Sequence, residues 1–184
     1  MRKIGVWQAL LLALGACASA QQPALPAYDA RNLDARIAAA SAQARKENRR
    51  VLVAWGSNTD MSSKALTELA GRNSGVSQKL LYEYFLVWAD PYGNETLAAQ
   101  LGAEVKSTAL PRLTVLDPDR KVLASAGVEA FKTAGSSAYD PEAFVAFLTK
   151  YQAPYLDAEQ LLAGALSRTK KDQKTLFLWF SAPW

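Results

Sequence analysis

Two continuous apolar runs constrain this chain more than any other feature. Val51-Leu52-Val53-Ala54-Trp55 and Phe85-Leu86-Val87-Trp88-Ala89 contain no polar residue. A strand with one wet face alternates apolar and polar residues, whereas a run that is apolar throughout reads as a strand covered on both faces. Such strands need helices packed above and below them, which points to an α/β architecture. The intervening sequence offers those helices. Asn32 is placed to cap a helix over Leu33 to Asn48, with Leu33, Ile37, Ala40 and Ala44 on one face. Asp60 is placed to cap a second, with Ala65, Leu66 and Leu69 as its stripe. Val76 to Tyr84 and Asn94 to Leu101 are further helical stretches. Arg112 to Asp117 and Lys121 to Ser125 flank Pro118-Asp119-Arg120 and predict a β-hairpin. Asp140-Pro141 opens a last helix, with Phe144, Phe147, Leu148 and Tyr151 facing inward. The predicted sheet is mixed.

The N-terminus is of a different kind. Arg2 and Lys3 precede an apolar stretch, Ile4 to Leu14, and then the small residues Gly15 to Ala20. This pattern predicts an export signal over 1–20, too short and wrongly flanked to span a membrane. Two processing sites fit. Ala18-Ser19-Ala20 suits cleavage before Gln21, while Leu14-Gly15-Ala16-Cys17 resembles a bacterial lipobox that would lipidate Cys17. Either one places the folded part outside the cytoplasm, in the periplasm or at the cell surface. Any membrane association is expected only through a lipid on Cys17. Residues 21–28, with two prolines, predict a short tether.

The chemistry on offer is sparse. The chain has no histidine, and Cys17 is its only cysteine. Those two facts exclude a disulfide framework, a zinc site of the usual kind, and catalysis by a histidine base or a thiol within the folded part. No metal or other cofactor is expected. The formal charge of +4 falls to +2 once Arg2 and Lys3 are removed with the signal. The remaining charges are mixed along the chain, so no nucleic-acid partner is expected.

The order of elements resembles the thioredoxin fold, and four segments carry the likeness. "KENRRVLVAWGSN" looks like the first core strand and its exit loop, and "VSQKLLYEYFLVWAD" like the following helix and strand. "STALPRLTVLDPDRKVL" looks like the segment with the family's cis-proline and its hairpin, and "YDPEAFVAFL" like the final helix. The resemblance spans about Leu33 to Tyr151 and implies a central mixed sheet flanked by helices over 29–152. It makes Leu110-Pro111 the cis-proline loop, bordering a groove that accepts extended polypeptide by strand-like pairing. In redox-active members the first strand leads into W-C-x-x-C-K, with the first thiol activated at a helix N-terminus. Aligning Lys64-Ala65-Leu66 with the family's C-K-A-L places Asp60 and Ser63 at the two cysteine positions. Neither side chain can form or attack a disulfide, so this domain is expected to be redox-dead. An aspartate at a helix N-terminus is favoured in its charged form, which suits a cap better than a general acid.

The end of the chain repeats its beginning. "LDARIAAASAQARKENRRVLVAWGSNT" (33–59) and "LDAEQLLAGALSRTKKDQKTLFLWFSAPW" (156–184) each run from Leu-Asp-Ala through an alanine-rich helix and basic residues into an apolar strand. They differ by two residues in length, and Ala153-Pro154 marks a boundary between units. Residues 153–184 thus predict an incomplete helix–strand unit, the start of a second thioredoxin-like domain. By the same resemblance, Trp184 holds the place of the tryptophan before the first cysteine. A UGA codon for selenocysteine, a nonsense change in a cysteine codon, or a fragment boundary would each end the chain there. The parent protein expected from this reading is an exported tandem thiol–disulfide oxidoreductase. The competing expectation is a thioredoxin-like binding or chaperone module without redox chemistry.

Overall fold

The computed structural model describes residues 27–103, 110–133, 136 and 138–179. The export signal, Cys17, most of the tether and Trp184 lie outside the described residues. Both apolar runs are strands, β1 (Arg50–Trp55) and β2 (Tyr84–Ala89), and they pair in parallel from Arg50↔Tyr84 to Trp55↔Ala89. The hairpin is β3 (Arg112–Leu116) and β4 (Val122–Gly127), antiparallel to each other, with β3 antiparallel to β1. The sheet order is β2-β1-β3-β4. Its helices are α1 (Leu33–Glu47), α2 (Met61–Arg72), α3 (Ser74–Glu83), α4 (Glu95–Gln100) and α5 (Pro141–Tyr151). A 3-10 turn, Val128–Phe131, leads from β4 towards α5.

Alternation along β1 divides the core in two, because successive side chains of a strand point to opposite faces. Val51, Val53 and Trp55 join Leu33, Ile37 and Ala44 of α1 and Ala98 of α4. Leu52 and Ala54 join Leu66 of α2, Leu80 of α3, and Phe144 and Leu148 of α5. The two clusters are the two covered faces that the apolar runs require. Two buried side chains of the sheet are paired: the Trp55 indole N–H donates to Thr114 Oγ1 at 3.1 Å, and the Tyr84 hydroxyl donates to the Leu148 carbonyl at 2.5 Å. The outer edge of β2 is shielded by two arginines. Arg36 donates to the Trp88 carbonyl at 2.9 Å, and Arg49 donates to the carbonyls of Leu81 and Tyr84 while lying 4.1 Å over the Phe85 ring. Bonded guanidinium groups on these carbonyls block a further strand from pairing there.

Two local expectations are corrected. Asn32 does not cap α1 with its side chain; it sits in the left-handed region (φ 47°) and makes no capping bond. Tyr28, read as the end of the tether, is buried, and Asp29 forms a parallel bridge with Ala89 beyond β2.

After α5 the chain is fastened at Asn48, whose side-chain amide donates to the Pro154 carbonyl at 2.8 Å, and at Lys79, which reaches Gln152 Oε1 at 2.5 Å. Then α6 (Ala158–Asp172) forms, capped by Asp157. It has the length of α1, 15 residues, and the same C-terminal closure. Asn48 and Gln173 are both left-handed, and the amides that follow them, Arg49 and Lys174, bond back to Ala44 and Thr169 at 3.0 and 2.9 Å. Registered on those caps, Ile37, Ser41 and Ala44 correspond to Leu162, Leu166 and Thr169. The α1 residues are buried, yet no residue of α6 is. The strand expected after this helix does not form over 174–179. A strand needs a partner to satisfy its backbone, and none of the described strands pairs with this segment. No described helix is long and apolar enough to cross a membrane.

Candidate functional site

The carboxyl ends of β1 and β2 and the start of β3 meet at one end of the sheet. There Gly56 leaves β1 with its N–H donating to the Ala89 carbonyl at 2.9 Å. Ser57, Asn58 and Thr59 form a short loop, and α2 begins. Its N-cap is Asp60 (φ −82°, ψ 132°), whose Oδ2 accepts the Ser63 N–H at 2.6 Å. A short bond from a charged acceptor to a free helix donor is the usual cap arrangement, and the carboxylate also faces the positive end of the helix dipole.

Ser63 is fully buried, and its Oγ accepts the Ser57 N–H at 3.1 Å, which ties the loop to the first turn of α2. Asp60 and Ser63 are thus brought together, cap to third helical residue. Both are consumed by local structure. Met61, between them, is 75% exposed.

Pro111 precedes β3, and the Leu110–Pro111 peptide bond is cis. Pro111 directly precedes Arg112, the partner of Trp55, so it lies at the end of the sheet where Gly56 leaves β1. The Pro111 carbonyl accepts the Val128 N–H at 3.3 Å.

Three residues of this site escaped the sequence reading. The Asn58 side chain clamps residue 28 from both sides, accepting the Tyr28 N–H at 2.9 Å and donating to the Tyr28 carbonyl at 2.8 Å. This holds Tyr28 over Gly56, where its ring meets Trp88 edge-on at 5.2 Å and its hydroxyl donates to the Ser63 carbonyl at 3.4 Å. From the other side Tyr139 donates its hydroxyl to the Ser62 carbonyl at 3.1 Å. Burial pushes both phenols above the ordinary tyrosine range, so they stay protonated donors. A Cβ on Gly56 would lie 2.4 Å from the Tyr28 ring and 2.7 Å from Ser63 Oγ, so only glycine fits beneath the tyrosine. In the sequence, Tyr28 looks like a tether residue and Asn58 like ordinary turn chemistry. Only Gly56, at the exit of a buried strand, hinted at a close approach.

Chemically the arrangement offers a capped helix N-terminus, a buried hydroxyl and two protonated phenols. Among the described residues no group of histidine, cysteine and carboxylate side chains could hold a metal ion.

No protein-family model matches the chain, and no curated protein matches its sequence. Among solved structures it is similar to a disulphide isomerase from Xylella fastidiosa Temecula1, with a TM-score of 0.54 and 19% identity, over 69% of this chain and 98% of that one. With the mixed sheet, the flanking helices and the order of elements, that likeness establishes a thioredoxin-like fold for this chain.

Proposed function

We propose that this chain is an exported thioredoxin-fold protein whose first unit, 29–152, is redox-inactive and serves a tandem thiol–disulfide oxidoreductase. The observation that carries this reading is the pairing of Asp60 and Ser63 at the start of α2. Redox-active members of the fold need thiols there, and here the two side chains are bonded into the helix cap. The second unit begins at 153. Its support is α6, which repeats the length and closure of α1 and leaves the matching apolar face uncovered. In this reading the first unit positions or recognises substrate polypeptide while the second carries out exchange. Export rests on the N-terminal pattern alone, with Cys17 as the candidate anchor.

The test has two arms. Insulin reduction by the 184-residue chain should not exceed the uncatalysed rate. A chain continued through the downstream reading frame, with cysteine or selenocysteine directly after Trp184 and then x-x-Cys-Lys, should be active. Unrelated downstream sequence or an immediate second stop refutes the tandem reading, and activity of the 184-residue chain refutes the inactive first unit.

A second reading, a non-catalytic binding module, is favoured by one feature. Met61 is largely exposed at the sheet end that carries the cis-proline, where an extended peptide would lie.

A further inference from the structure

The apolar face of α6 is flanked by charges that the tandem reading does not use. At about 100° per residue, Ala158, Leu162, Ala165, Leu166 and Thr169 form a single stripe along the helix. Leu162 and Leu166 are 39% and 51% exposed, and no residue of the helix is buried. The same rotation puts Glu159 and Lys170 on one flank of that stripe, at matching distances on either side of its midpoint. Among the described residues neither takes part in an ion pair.

We infer that in the 184-residue chain α6 pairs antiparallel with α6 of a second copy, across a two-fold axis near the middle of the stripe. Antiparallel pairing brings the same flank of each helix face to face with its direction reversed. Glu159 of each copy then meets Lys170 of the other, twice by symmetry, while Leu162 of each meets Leu166 of the other. Parallel pairing would set each flank against the opposite one and would leave Glu159 without this match. The small side chains of Ala158 and Ala165 let the helices approach closely. Charge therefore selects a copy of the same helix, in one orientation.

This inference does not depend on the tandem reading. The tandem reading covers the same stripe within one chain, and the two are told apart because pairing is read as association of the chain and exchange is read as activity.

The experiment is the molar mass of the purified full chain, by light scattering and sedimentation, over about 1–100 µM. The expected result is a dimer that dissociates on dilution. Glu159→Lys or Lys170→Glu alone sets like charges opposite each other in two symmetric places and should weaken dimerisation by roughly tenfold. The double variant E159K/K170E exchanges the signs and should restore it. Leu162→Asp with Leu166→Asp should leave a monomer with an unchanged circular dichroism signal from the main domain. A wild-type monomer throughout, single swaps without effect, or failure of the double swap to rescue overturns the inference. So does larger assembly through Phe177 and Trp179 that ignores all these variants. None of these outcomes bears on activity of the extended chain, so the two readings fail separately.

Discussion

Replacing Tyr28 with alanine should destabilise the fold far more than the position of this residue, at the margin of the domain, would suggest. The ring is 4% exposed, packs edge-on to Trp88 at 5.2 Å, and fills the space over Gly56. Truncating a buried aromatic to alanine costs about 3–5 kcal/mol, and the lost ring pair belongs to that sum. Tyr28 enters from the chain's N-terminal side, where neighbours can partly collapse, so about 3 kcal/mol is expected. Tyr28→Phe is the control. It removes only a long hydrogen bond, 3.4 Å to the Ser63 carbonyl, and should cost no more than about 1 kcal/mol. With a urea slope of about 1–3 kcal/mol/M, the alanine variant should lower the unfolding midpoint by about 1–3 M. Tryptophan fluorescence is the natural readout, since Trp88 loses its ring neighbour. An alanine variant within about 1 kcal/mol of the parent would mean that residues 27–30 do not dock on the site, and the account of its closure would fail.

Gly56→Ala should cost about 1–3 kcal/mol or more, because its Cβ would overlap the Tyr28 ring, and pairing it with Tyr28→Ala should recover part of the loss in a double-mutant cycle. Stability should be flat to about pH 9 and fall above pH 10, where tyrosines of the unfolded chain ionise. Tyr28 and Tyr84 are held protonated by burial, so the unfolded state loses their protons first; each contributes a slope of about 1.4 kcal/mol per pH unit until its own folded pKa is reached. Tyr84→Phe should reduce that slope in urea titrations at pH 9 to 11, and an unchanged slope would show that Tyr84 is not buried as described.

The sheet and its helices were legible because period and burial agree: β1 is apolar from Val51 to Trp55 since α1 covers one face and α2, α3 and α5 the other. The helix starts at Asp60 and Asp140 were legible from cap chemistry. Asn32 was not, because the same short side chain that caps helices also tolerates the left-handed conformation it adopts here. The Asp60 and Ser63 positions came from the resemblance. The Tyr28, Asn58 and Tyr139 lock did not, because it joins residues 30 to 77 positions apart, and no local pattern records such contacts. The tail divided along the same line. Its helix depends on propensity and capping, and it formed; its strand depends on a partner, and 174–179 remain unpaired.

The most direct measurement for the central claim uses the double substitution Asp60→Cys with Ser63→Cys. If these residues hold the places of a thioredoxin-fold redox pair, the cap-to-third-residue spacing suits an intrachain disulfide, and the first thiol sits at the N-terminus of α2. Peptide mapping of the oxidised, folded variant should find residues 60 and 63 linked to each other, and dithiol should open the bond reversibly. A folded variant in which the two thiols stay free under oxidation, or link only between chains, would contradict the account.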